Sequence, residues 1–120
     1  MLIAKQNGGV YLERRPEAGI WGGLWSLPEL GDRSIETWCR DELNTAIVTT
    51  ETWQTLRHSF SHYDLDIRPI LVRVDGPLRR VADSDSKTWY RPDEPPPGGM
   101  AAPVRKLIEQ LKKSSNVTHN

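Results

Sequence analysis

Residues 57–67, "RHSFSHYDLDI", place two histidines, two serines and two aspartates within eleven positions. Ser61, His62 and Asp64 are the residue types of a hydrolytic triad, and His58 and His62 stand four apart, as metal-binding histidines do on a helix. Neither chemistry suits this segment. Its polar and apolar residues alternate as in a strand, where neighbours point to opposite faces, and no nucleophile elbow surrounds the serine. Two histidines on an extended, turning segment do not converge, and no cysteine or further histidine beside them completes a zinc set. What remains is a strand that stops, turns on Ser61 and His62, and resumes. Two-residue hairpin turns favour Asn-Gly, Asp-Gly or Gly pairs, yet this tip has no glycine and is flanked by Phe60 and Tyr63. A polar tip between aromatics is a contact site on one reading and an ordinary solvated turn on the other.

A second chemistry is suggested upstream. Gly23, Glu29, Asp41 and Glu42 fall on the spacing G-x5-E-x7-R-E-U-x-E-E-x-G-U (U, aliphatic), the Nudix box, whose helix turns carboxylates toward a divalent metal for phosphate-ester chemistry. Thr37 and Trp38 stand where the box has Arg-Glu, and Asn44 where it has Gly. Tryptophan can serve neither as metal ligand nor as base. The sequence therefore resembles the architecture of a Nudix-like fold with a degenerate box more than its activity, and no catalytic residue and no metal ligand set is assigned. The neighbouring "GIWGGLWSLPE" is either an aromatic surface for stacking on bases or a glycine-shaped loop with Trp21 and Trp25 packed beneath it.

The elements that must position these groups follow from periodicity. "LIAKQNGGVYLERR" reads as a hairpin turning on Asn7, Gly8 and Gly9. Residues 16–33 are loop-rich. Ile35, Trp38, Cys39 and Leu43 share a helical face, with Asp32 or Ser34 as cap, predicting a helix of about three turns. From Leu56 to Val74, Tyr63, Leu65 and Ile67 have one parity and Ile70, Val72 and Val74 the other, so Arg68-Pro69 marks a bulge or strand break. "KTWYRP" can add a short strand, and "RPDEPPPGG" is a connector, since proline fixes φ and removes donors. Pro103 opens a last helix whose stripe is Val104, Leu107, Ile108 and Leu111. The order predicts an α+β, mixed-sheet α/β sandwich: one domain over residues 1–113, then a polar tail, 114–120.

Bulk properties narrow the function. Sixteen Lys+Arg offset sixteen Asp+Glu, so no overall electrostatic footprint for nucleic acid exists and any DNA binding must be local or assisted. The lone Cys39 permits neither an internal disulfide nor a Cys-only metal site within this chain and suits a reducing compartment, with the cytoplasm expected. No apolar run approaches the roughly 20 residues of a membrane span. A soluble monomer without membrane contact is expected.

"LERRPEAGIWGGLWSLPE", "RHSFSHYDLDI" and "GGMAAPVRKLIEQL", in this order and spacing, resemble the C-terminal domain of the MutY family of adenine DNA glycosylases over about residues 9–111. The resemblance implies a Nudix-like domain that recognises 8-oxoguanine opposite the mispaired adenine, which a separate N-terminal domain excises in base-excision repair. It places the family's lesion-reading Phe-Ser-His on Phe60, Ser61 and His62, with the serine contacting the oxidised base. Arg57, His58 and Tyr63 would then be DNA contacts, the first two as phosphate partners. Implied partners are duplex DNA carrying 8-oxoguanine opposite adenine and the protein's own N-terminal catalytic domain, in a bacterial cytoplasm and on the nucleoid when DNA-bound. The family's excision residues and 4Fe-4S cluster have no positions in this sequence, which looks like an excised C-terminal fragment without cofactor. Tyr63 stands where Phe is common in the family, and Met100-Ala101 where Leu-Pro is usual. Two other functions are weighed beside this one: a Nudix pyrophosphohydrolase acting on nucleoside diphosphate derivatives, and a protein-interaction module using the Trp-rich loop.

Overall fold

The computed structural model describes residues 1–6, 8–74 and 86–117, with side chains as far as Lys113. The expected turn residue Asn7 lies outside the described residues. In chain order the elements are β1 (Leu2–Gln6), β2 (Gly9–Arg14), β3 (Trp25–Ser26), α1 (Ile35–Trp38) running into a π-helical turn (Cys39–Leu43), β4 (Ile47–Thr52), β5 (Leu56–Ser59), β6 (Asp64–Ile67), β7 (Ile70–Val74), β8 (Lys87–Tyr90) and α2 (Ala102–Val117).

The expected first hairpin forms, with Lys5 opposite Val10 and Gln6 opposite Gly9. It belongs to a six-stranded mixed sheet in which β1 also pairs parallel to β7, and β4 lies antiparallel beyond β7. On β2, Val10 is flanked by Lys5 and Tyr90, and Glu13 by Ser26 and Lys87, so β1 and β3 follow one another along one edge while β8 covers the other. Alternation along the strands then builds two cores. Ile3, Val10, Leu12 and Leu71 pack beneath the α2 stripe of Val104, Leu107, Ile108 and Leu111. Leu2, Ala4, Tyr11, Val72 and Val74 point the other way, toward Trp38, Cys39 and Leu43. The result is the mixed-sheet sandwich that the element order predicts. Among the described residues no helix is long and apolar enough to cross a membrane.

The first helix departs from the expected three regular turns. Ser34 caps it, its Oγ accepting the Thr37 N–H at 3.1 Å. After one α turn the chain widens to π geometry and stops at Asn44, whose left-handed backbone (φ 51°) lets its N–H reach the carbonyls of Arg40 and Cys39. The wider turn brings Leu43 onto the buried face beside Trp38 and Cys39.

The predicted break at Arg68-Pro69 is where the chain changes sheets. Among the described residues β5 and β6 pair only with each other, as a two-stranded ribbon outside the main sheet. Ile67 still packs in the α2-side core, with Leu56 and Leu65 against its margin, and the Trp53 N–H donates to the Pro69 carbonyl at 2.9 Å. The ribbon is therefore fastened at its root and projects at its tip.

Candidate nucleic-acid interface

Register fixes the ribbon. Leu56 opposes Ile67, Arg57 opposes Asp66, His58 opposes Leu65 and Ser59 opposes Asp64, which centres the turn on Ser61-His62. The Phe60 N–H donates to the Tyr63 carbonyl at 2.8 Å across it. Among the described residues only Trp21 and Asn44 are non-glycine residues with positive φ, so this tip turns without the left-handed backbone that would call for glycine. Alternation divides the ribbon into two faces: Leu56, His58, Phe60, Tyr63, Leu65 and Ile67 on one, Arg57, Ser59, Asp64 and Asp66 on the other. Phe60 and Tyr63 stack at 4.7 Å between centroids and 25° between planes, directly beneath the two exposed tip residues. Tyr63 itself is 52% exposed, an unusual setting for an aromatic of its size.

The glycine loop supplies the support for this tip. Trp25 enters the α2-side core, whereas Trp21 stays half-buried and lies against the ribbon, 5.7 Å from the Phe60 ring and 5.8 Å from His58. His58 in turn meets Phe60 edge-on at 4.7 Å. The Arg15 guanidinium lies 6.0 Å from the Trp21 ring centre, and its Nε donates to the Ile20 carbonyl at 3.1 Å. Both tryptophans are thus packed, as the second reading has it: Trp25 in the core, and Trp21 half-buried between loop and ribbon.

The residues assigned from the sequence fall in three settings. Ser61, His62 and Tyr63 are exposed, and Phe60 is half-buried in the aromatic group. His58 faces that group and not the outer surface of the ribbon. Arg57 is on the outer face, where its guanidinium forks onto Asp66 at 2.9 and 3.4 Å. That hydrogen bond, with the charge of its partner, raises the Arg57 pKa and lowers that of Asp66. The pair could have been read from the sequence, since a turn centred on residues 61 and 62 sets Arg57 opposite Asp66. The contact of Trp21 with Phe60 could not, because no local period connects a glycine loop to a distant hairpin.

The degenerate box has a different fate. Trp38, in a carboxylate place, is 1% exposed and packs edge-on against Tyr11 at 5.7 Å. Arg33 Nη1 stands 3.1 Å from Glu42 Oε1 and 3.9 Å from Asp41 Oδ2, and Lys87 Nζ is 3.9 Å from Glu42 Oε2. Glu29 is exposed on the preceding loop. These residues do not fit a divalent metal: one carboxylate place of the helix holds a buried indole, the other two, Asp41 and Glu42, already share a guanidinium, and Glu29 stands exposed on the loop. Among the described residues no group of three or more His, Cys, Asp or Glu is gathered as a metal site. Beside this cluster, burial raises the Glu13 carboxyl above its ordinary range, against the lowering effect of the Tyr11 hydroxyl that donates to it at 3.2 Å.

Comparison with known proteins agrees with this anatomy. Residues 1–110 match the model of the NUDIX domain. The adenine DNA glycosylase of Buchnera aphidicola subsp. Acyrthosiphon pisum (strain APS) is 29% identical over 113 residues, 94% of this chain and 32% of that protein. The chain thus spans about a third of the length of the curated relatives it matches. Among solved structures, the C-terminal domain of mouse MUTYH, crystallised with human PCNA, superposes with a TM-score of 0.69 at 13% identity, covering 96% of this chain and 86% of that one. The MutT NUDIX hydrolase of Burkholderia pseudomallei superposes at 0.60 with 18% identity, over 92% and 93% of the two chains. The resemblance to adenine DNA glycosylases read from the three motifs is therefore borne out, and by sequence match and by fold the chain belongs to the NUDIX domain family.

Proposed function

We propose that this domain recognises 8-oxoguanine in duplex DNA on behalf of an adenine DNA glycosylase, which removes the adenine mispaired with that base, and that it contributes no catalytic residue itself. The observation that carries this reading is the exposed Ser61-His62 tip, raised on a stacked Phe60–Tyr63 pair at the end of a ribbon that leaves the main sheet. The similarity to adenine DNA glycosylases supports it. In 8-oxoguanine N7 carries a hydrogen and C8 an oxygen, so a guanine acceptor becomes a donor and a new acceptor appears. The Ser61 hydroxyl can accept from N7–H while a hydroxyl or backbone N–H at the tip donates to O8. Phe60 and Tyr63 hold the tip from below, and His62 beside Ser61 can fill space next to the base stack. The N-terminal catalytic domain, with its 4Fe-4S cluster, is the proposed partner within the same protein.

The overall charge balance fits a reader that works while tethered. Phosphate neutralisation supplies most non-specific DNA affinity, so the chain alone should bind duplexes weakly and with shallow salt dependence. Attachment to a catalytic domain raises its effective concentration to roughly millimolar. The buried Trp38 and the Arg33 guanidinium between Asp41 and Glu42 weigh against the pyrophosphohydrolase alternative.

The test is Ser61→Ala in the complete protein. An exposed turn hydroxyl supports no core, so stability should change by less than about 0.5 kcal/mol. The preference for adenine opposite 8-oxoguanine over adenine opposite guanine should fall by about 1 to 3 kcal/mol, less if a backbone N–H still holds O8. An unchanged ratio of excision rates in both Ser61→Ala and Ser61→Ala/His62→Ala, with folding intact, would show that the tip does not read the lesion.

A further inference from the structure

We propose that Trp21 is a positioning residue for the Ser61-His62 tip, an inference that rests on the lesion-reading role proposed above. Among the described residues the ribbon pairs with no strand of the main sheet, so backbone hydrogen bonding fixes its internal register but not the place of its tip. Side chains must do that. At the root, Leu56, Leu65 and Ile67 meet the α2-side core. Further out, the Trp21 indole lies against Phe60 and His58, and Phe60 is stacked on Tyr63, the residue on the far side of the turn. The indole thus braces Phe60 directly and Tyr63 through the Phe60 ring, the two residues from which Ser61 and His62 spring.

The loop that carries Trp21 is built to hold it still. Trp21 has φ 54°, a backbone state that residues with a side chain avoid and that persists only where the surroundings enforce it. Here the Arg15 N–H donates to the Leu24 carbonyl at 2.9 Å, the Gly23 N–H to the Arg15 carbonyl at 3.0 Å, and the Leu24 N–H to the Trp21 carbonyl at 3.1 Å. Gly22 passes so close to Glu17 that a Cβ there would stand 2.1 Å from its carbonyl oxygen. The Arg15 guanidinium closes over the indole at 6.0 Å. A hydrogen bond that distinguishes two bases weakens steeply with misplacement, so a strained but locked tryptophan behind the reading tip sets its precision.

Trp21→Ala, Trp21→Phe, Ser61→Ala and the double variant Trp21→Ala/Ser61→Ala are compared in the complete protein. Melting temperature is measured together with the ratio of excision rates for adenine opposite 8-oxoguanine and opposite guanine. A merely structural residue would move melting temperature and leave the ratio alone. Trp21→Ala should lower the ratio by about tenfold or less, bounded by the effect of Ser61→Ala, because it can only spoil a contact that the serine makes. Trp21→Phe should retain most of it. In the Ser61→Ala background Trp21→Ala should cause no further loss, which is the coupling expected of two residues acting through one contact. If Trp21→Ala fails to fold, Trp21→Leu, which keeps apolar burial and removes the ring, carries the same comparison. A folded variant with an undiminished ratio, or a loss fully additive with that of Ser61→Ala, overturns the positioning role while leaving the reading by Ser61 in place. No effect of Ser61→Ala itself overturns the reading, and the proposal with it.

Discussion

The tightest geometric constraint near the site is at Gly22, and it yields a stability that can be worked out before it is measured. In Gly22→Ala the new methyl would meet the Glu17 carbonyl oxygen at 2.1 Å, its carbon at 2.8 Å and the Pro16 oxygen at 3.2 Å. A carbon and a carbonyl oxygen settle near about 3.3 Å, so the Pro16–Glu17 backbone must recede by about 1 Å. That shift opens the bond from the Gly23 N–H, now shared between Arg15 (3.0 Å) and Pro16 (3.3 Å). Overpacking of this kind costs about 1 to 3 kcal/mol and the lost bond about 1 more, together roughly 2 to 4 kcal/mol. For a chain of this size the melting temperature should drop by roughly 10 to 15 °C. Thermal unfolding followed by circular dichroism measures it. Gly31→Ala is the control, because Gly31 has φ 63° and open space around it, leaving only the left-handed backbone penalty of about 1 to 2 kcal/mol. Ring proton shifts of Phe60 and Tyr63 should also move in Gly22→Ala, through Trp21, and stay in place in Gly31→Ala. A Gly22→Ala protein melting within about 2 °C of the parent, or above Gly31→Ala, would refute the close-approach argument.

Three further outcomes are expected. Asp66→Asn deletes a negative charge and releases the guanidinium fork of Arg57, so duplex affinity should rise and the log–log salt slope steepen by about 1; a titration with unchanged slope would count against Arg57 as a latent phosphate partner. Trp38→Glu, which returns a carboxylate to one place of the box, should cost at least about 3 to 5 kcal/mol by emptying a core site and burying a carboxyl, and should hydrolyse no pyrophosphate with Mg²⁺; phosphate release by a folded variant would contradict this. The Glu13 carboxyl, raised by burial, favours the folded state while protonated and burdens it once ionised, so stability from this group declines as pH rises from the ordinary glutamate value through the folded one. Glu13→Gln keeps an acceptor for Tyr11 and should therefore gain over the parent as pH increases through that window, in urea unfolding series; an advantage at acid pH only would reverse the argument.

The parts of the fold with strong periods were legible in advance. Alternation placed β1, β2, β6 and β7, and the parity change at Arg68-Pro69 located the passage from ribbon to sheet. The α2 stripe was complete in the sequence, all four residues being buried. β3 escaped because Trp25 and Ser26 are too short a run to have a period, and β4 because "IVTTET" is mostly exposed and carries no alternation of burial. The π-helical turn was hidden by the very stripe that announced a helix: Trp38, Cys39 and Leu43 suit either geometry. At the site, two polar residues between aromatics gave the tip its place, but not what lies behind it. A contact between Trp21 and Phe60 depends on how a loop and a ribbon fold back on the same core, and residue order holds no local trace of that.

The ribbon has one more consequence. Because, among the described residues, its strands pair with each other and with no strand of the main sheet, the turn at residues 60–63 can lengthen, shorten or change character without altering a pairing of the six-stranded sheet. Scaffold and tip are thus separately variable. Substitutions confined to the exposed tip would leave the cores above and below the sheet untouched, so the surface this ribbon presents can drift while foldability is conserved. Such drift must respect two linkages: the root residues Leu56, Leu65 and Ile67 in the α2-side core, and the contact of Phe60 with Trp21 on which the positioning proposal rests.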